Sequence, residues 1–165
     1  MEFHLAPVDL PALLHEVVTL QRGHAQKKNL FLELPTDALP PQVFADVVRL
    51  RQVLLNLTSN ALKFTEQGGV TVRARHEGEQ VRIEVQDSGI GIDPAEQTLI
   101  FEKFRQSDAS VTRHHQGTGL GLTLAKELIE HMGGHIGLVS KPGVGSTFYI
   151  MLPSSNGKAQ VTHDN

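Results

Sequence analysis

The sequence predicts the α+β class, as a two-layer α/β sandwich with helices on one face of a mixed, mostly antiparallel sheet. Two observations carry this expectation. Alternating apolar runs face each other across tight turns, once around Glu77-Gly78 and once around Pro142-Gly143-Val144-Gly145. Apolar stripes at helical spacing separate and precede these hairpins, giving roughly four helices mixed with strands.

In chain order, Phe3 to Val8 starts as a short strand, and Asp9 has the character of an N-cap. Leu10, Leu13, Leu14, Val17 and Val18 then form one helical stripe. Leu30 to Leu34 is a strand and Pro35 to Pro41 a loop. A long helix is expected from about Val43 to Phe64, closed by the Gly68-Gly69 turn. Val70, Val72 and Ala74, then Val81, Ile83 and Val85, alternate with polar residues as a hairpin with one wet face. Asp93-Pro94-Ala95-Glu96 combines an N-cap, a first-turn proline and a capping-box glutamate, so a helix starts there. Arg105 to Gln116 carries almost no apolar residue and is expected as a mobile loop. Leu120, Leu124, Leu128 and Met132 mark a further helix ended by Gly133-Gly134, and His135–Lys141 with Ser146–Leu152 makes the second hairpin. The domain is expected over 1–153, with a polar, disordered tail over 154–165.

Composition excludes several classes. A chain of 165 residues with 39% hydrophobic content suits one globular domain. A net charge of -3 and 5% aromatics argue against a nucleic-acid partner. The absence of cysteine removes disulfides, thiolate metal sites and cysteine nucleophiles, and fits a reducing, cytoplasmic setting. No apolar run approaches the ~18 residues of a membrane span, so no membrane contact is expected of this piece. His131 and His135 have helical i, i+4 spacing, but the glycine pair between them breaks the helix, so metal binding there is not expected.

Function enters with Asn56-Leu-Thr-Ser-Asn60-Ala-Leu-Lys63-Phe64. At about 100° per residue, positions 56, 60 and 63 share one narrow stripe, while Leu50, Leu54, Leu57 and Ala61 share a roughly opposite, buried one. Amide oxygens suit a hard divalent cation and an ammonium suits phosphate, which points to a Mg²⁺-nucleotide. A solvated polar face is the ordinary alternative.

Asp87 is in phase with Val81, Ile83 and Val85, so alternation buries its carboxylate, and a buried charge needs a donor. Followed by Gly89-Ile90-Gly91, it could accept from the exocyclic amine of adenine, or simply end its strand in an Asx turn. Gly117-Thr118-Gly119-Leu120-Gly121 opens a helix, whose unpaired N–H groups suit phosphate oxygens. Its spacing is neither the dinucleotide fingerprint nor a P-loop. Phe101 and Phe104, at i, i+3 before the polar loop, are core residues or a lid hinge. Thr147 begins the last strand and could hydrogen-bond a base or an ordered water.

In their order these segments resemble the boxes of the histidine-kinase catalytic domain, in the wider family of gyrase, MutL and heat-shock chaperone ATPases. Asn56 to Phe64 is similar to the N box and Asp87 to Gly91 to the first glycine box. Phe101 to Phe104 resembles the F box, Gly117 to Gly121 the second glycine box, and Gly143 to Phe148 the last; the likeness covers about residues 3–153. The resemblance implies the Bergerat ATP-binding sandwich, with Mg²⁺ on Asn60, phosphates on Asn56 and Lys63, the adenine amine on Asp87, and Arg105–Gln116 as ATP lid. It also implies nucleotide contacts for Phe64, Gly89, Ile90, Gly91, Phe101, Phe104, Gly117, Thr118, Gly119, Leu120, Gly121 and Thr147.

Two departures refine it. Hydrolytic relatives carry a glutamate base where this chain has Asn56, and an amide cannot take a proton at neutral pH, so phosphoryl transfer is expected rather than hydrolysis. The domain is expected to start near residue 3, which leaves no room for a dimerisation helix; His15-Glu16 mimics an acceptor dipeptide inside the first helix. The implied partners are therefore a separate histidine-bearing dimerisation domain and a response-regulator receiver domain, in a longer sensor kinase; Phe104 to Ser107 and Gly117 to Leu120 resemble the wording of hybrid kinases. An ATP-sensing or docking module without transfer, and an anti-sigma-type serine kinase, are the alternatives.

Overall fold

The computed structural model describes residues 2–88 and 118–155. The helix start at Asp93, Phe101, Phe104, the Arg105–Gln116 loop, Gly89, Ile90, Gly91, Gly117 and the last ten residues lie outside them.

Strand β1 (Ala6–Asp9) runs into helix α1 (Leu10–Lys27), where the Asp9 carboxylate accepts the Ala12 N–H at 3.1 Å as an N-cap. Strand β2 (Phe31–Glu33) and strand β3 (Gln42–Ala45) precede helix α2 (Val47–Phe64). Strands β4 (Gly69–Glu77) and β5 (Gln80–Asp87) form the first hairpin. Helix α3 (Thr118–His131) and the hairpin β6 (His135–Lys141) and β7 (Gly145–Pro153) complete the described fold. The main sheet has the order β2-β4-β5-β7-β6, antiparallel except for the β2–β4 pair, while β1 and β3 form a separate antiparallel pair.

Cross-strand register explains the layer. Val85 lies between Val72 on one side and Phe148 on the other, Ile83 pairs with Ile150, and all are buried under the helices. Leu10, Leu13, Leu14, Val17 and Val18 of α1 and Leu50, Leu54, Leu57 and Ala61 of α2 bury the stripes the spacing predicts. The opposite sheet face carries charge: Arg82 bonds Glu84 at 2.7 Å and stacks 3.9 Å over the Tyr149 ring.

Two features differ from the sequence expectation. Gln42–Ala45 is a strand, not the first turn of α2. Val43, Val47, Leu50 and Leu54 continue a helical spacing by coincidence, but Val43 is buried against β1 whereas Val47 is exposed. The helix begins where Asp46 can cap it, its Oδ1 accepting from Arg49 N–H at 3.1 Å. Oδ2 accepts the His4 N–H at 2.9 Å, so the same carboxylate pins the N-terminal segment. Burial acts to raise the pKa of Asp46, but the backbone donors of His4, Arg49 and Val48 and the Arg49 charge outweigh it and hold the carboxyl below its ordinary value. Phe3 adds to this anchor, stacking on His131 at 5.5 Å with the Arg49 guanidinium over its ring.

The second difference is the buried face of α3. Leu122, Ala125, Leu128, Ile129 and Met132 enter the core, and Leu124 is 40% exposed. A strict i, i+4 row drifts about 40° per step and leaves the face, whereas 122, 125, 129 and 132 alternate steps of three and four. Gly133 and Gly134 close the helix as expected, donating to Glu130 and Ile129 carbonyls at 3.1 and 3.0 Å. Beyond β7, the Ser154 N–H bonds Glu79 O at 2.9 Å, and Ser154 is buried. No helix among the described residues is long and apolar enough to cross a membrane.

Candidate nucleotide site

The polar stripe of α2 lies at the edge of the core. It is about 120° from the apolar stripe, not opposite to it, so Asn56 and Asn60 are half-buried and Lys63 exposed. The amide nitrogens of Asn56 and Asn60 are both shut off from solvent, and that of Asn56 has no hydrogen-bond partner among the described residues. A buried polar atom of this kind marks a place where a ligand or water completes the bonding.

Helix α3 closes over the same spot. A Cβ built on Gly121 would sit 2.7 Å from both terminal atoms of the Asn56 side chain. A larger residue at 121 would push the Asn56 amide aside, so glycine lets α3 and that amide stay in contact. Thr118, Gly119 and Leu120 form that first turn, as the glycine-rich opening predicts, and aim a helix N-terminus at this end of the fold. At the C-terminal end of α2, the Lys63 ammonium lies 5.7 Å from the Phe64 ring centroid. Lys28 supports this end, donating to Leu62 O at 2.7 Å and Lys63 O at 3.0 Å, a cation on the negative end of the helix dipole. Nothing in the local sequence marks Lys28, because its contacts are 34 and 35 residues away.

Asp87 is buried on the helix-covered face at the end of β5, as its alternation predicts. Its register neighbours are Val70 and Ser146, and Oδ1 accepts the Ser146 N–H at 3.3 Å. Ser146 in turn pairs hydroxyls with Ser140 at 2.7 Å. Thr147 stands opposite Gln86, one position on, and therefore on the other face of the sheet from Asp87. Ser146, not Thr147, is the β7 side chain beside the carboxylate; counting the period of two from Phe148 would have shown this. His15 is exposed on α1.

The residues fit a magnesium-bound nucleotide by their chemistry. Mg²⁺ commonly takes one or two protein oxygens and completes its shell with water and substrate phosphates, so a single amide suffices. Among the described residues no cluster of three histidines, cysteines or carboxylates could hold a metal by itself.

Comparison with known proteins bears on the family and the fold. A family profile described as histidine kinase-, DNA gyrase B-, and HSP90-like ATPase matches residues 45–156. The chain is 45% identical to the sensor protein GacS of Pseudomonas syringae pv. syringae over 152 residues, 88% of this chain and 17% of that protein. It is 40% identical to the signal transduction histidine-protein kinase BarA of Escherichia coli, with the same coverage. The chain thus spans less than a fifth of these relatives. Full-length ShkA in complex with AMPPNP superposes with a TM-score of 0.81 at 39% identity, over 93% of this chain and 32% of that one. The nucleotide-free catalytic domain of histidine kinase ThkA superposes with a TM-score of 0.79 at 30% identity, over 92% of this chain and 97% of that one. ThkA is also solved in complex with the response regulator TrrA, at 28% identity and a TM-score of 0.74, over 91% of this chain and 42% of that one.

Proposed function

The chain belongs to the histidine kinase-, DNA gyrase B-, and HSP90-like ATPase family, and on that premise we propose that it binds Mg-ATP and donates the γ-phosphate to a histidine on a separate dimerisation domain. A receiver domain of a response regulator would then take the phosphoryl group, in the cytoplasm where ATP is available. BarA is named as a signal transduction histidine-protein kinase and ThkA is solved with a response regulator, which supports a kinase role and a regulator partner.

One observation carries the nucleotide reading: the Asn56 amide, whose buried nitrogen has no partner among the described residues, lies against Gly121 near the start of α3. A polar side chain of one helix there meets the N-terminal turn of another, as a phosphate site requires. Asn60 would hold Mg²⁺ and Lys63 would face the phosphates; bound Mg²⁺ supplies charge neutralisation on the phosphate oxygens. Asp87 would accept from the adenine amine, its other oxygen positioned by the Ser146 N–H. Phe64, Gly89, Ile90, Gly91, Phe101 and Phe104 would complete the pocket by resemblance. No group on this stripe can serve as a base for water, since Asn56 is an amide, so the chemistry is positioning for transfer.

Calorimetric titration of the chain with ATP, with and without Mg²⁺, tests the reading. One site that requires Mg²⁺ is expected. Absence of binding, or affinity indifferent to Mg²⁺, would remove the assignment.

A further inference from the structure

Granted the nucleotide reading, on which this rests, we infer that Ser88 is a positioning residue that fixes the separation of the phosphate-facing and base-facing halves of the site. Those halves are carried by different elements. Lys63 sits in the last turn of α2, and Asp87 ends β5. The β4–β5 ladder ties them only as far as its last register pair, Val70 with Asp87.

Ser88 extends the connection past that point. Its N–H donates to Gly69 O at 3.2 Å, and its Oγ accepts the Gly69 N–H at 3.0 Å. The same hydroxyl donates to Gln67 O at 3.0 Å, with Gly69 O a longer alternative at 3.4 Å. One side chain, adjacent to the base-facing carboxylate, therefore holds a carbonyl four residues beyond Lys63. The intervening segment is itself short of slack: Thr65 bonds back to Ala61 O at 2.8 Å, and Gly68 O accepts from Phe31 N–H at 3.0 Å. Gly68 shows how closely the turn is drawn in. Its φ is +91°, and a Cβ there would lie 2.2 Å from the Ser88 hydroxyl oxygen.

Ser88 is exposed and lies outside the apolar core. A ligand that spans both halves gains from having them at the right separation, whereas a ligand touching one half does not. ATP is such a spanning ligand. Adenosine engages the base half alone, and Mg-tripolyphosphate the phosphate half alone.

The test is titration of the chain with these three ligands for wild type, Ser88→Ala, Ser88→Thr and Gly68→Ala, with melting temperatures alongside. Ser88→Ala should weaken Mg-ATP about 10-fold while the adenosine and tripolyphosphate affinities stay within about twofold. Ser88→Thr, which keeps the hydroxyl, should restore ATP affinity, and Gly68→Ala should reproduce the Ser88→Ala pattern by displacing the same oxygen. Unchanged ATP affinity in Ser88→Ala overturns the inference, as does an equal loss for adenosine, which would make Ser88 a local support of Asp87. Failure of wild type to bind Mg-ATP would sink the nucleotide reading and this inference together. Normal wild-type binding with an indifferent Ser88→Ala removes only the role of Ser88.

Discussion

Asn60→Ala is expected to lose Mg²⁺-dependent ATP binding by at least about 100-fold, since removing even a group that merely orients a metal ligand costs about 10–100-fold. The domain should stay folded. Asn60 is half-buried at the edge of the core, while the apolar contacts of α2 belong to Leu50, Leu54, Leu57 and Ala61. Alanine also favours the helix more than asparagine does. Calorimetry with and without Mg²⁺, beside a thermal melt, separates loss of ligand from loss of fold. Normal Mg-ATP affinity in Asn60→Ala would show that the metal is held elsewhere.

Asp87→Asn is expected to weaken ATP by about 10- to 150-fold, the equivalent of ~1.5–3 kcal/mol for losing a charge-assisted hydrogen bond. Asparagine keeps the oxygen that accepts the Ser146 N–H, so the end of β5 should remain in place. Wild type should prefer ATP to GTP, because guanine presents a carbonyl where adenine presents its amine. Parallel titrations of both nucleotides check this, and equal affinity in the wild type would contradict the role of Asp87.

The parts of this fold legible in the sequence were those governed by local periodicity. The stripes of α1 and α2, the two hairpins and the burial of Asp87 follow from spacing alone, because each side chain's surroundings are set by its own element. Long-range partners were not legible. Strand β3 exists because Val43 and Ala45 pack against β1, some 35 residues earlier, and the helical spacing of Val43 to Leu54 disguised it. Leu124 lies off the buried face because a row of leucines four apart drifts around a helix. In the site, the stripe of Asn56, Asn60 and Lys63 was visible from the residues, but its cover was not. That Gly121 meets Asn56, that Lys28 caps α2 and that Ser146 stands beside Asp87 are facts of tertiary register.

The most direct test of phosphoryl transfer is incubation with γ-labelled ATP, alone and with a histidine-bearing dimerisation domain from a sensor kinase of the GacS or BarA kind. Transfer requires an acceptor nitrogen in line with the γ-phosphate, which a separate domain supplies. The chain alone should stay unlabelled on all nine of its histidines, and the added domain should acquire acid-labile label. Label on the isolated chain that disappears in His15→Gln would contradict the account, and so would Mg-ATP binding with no label reaching the partner.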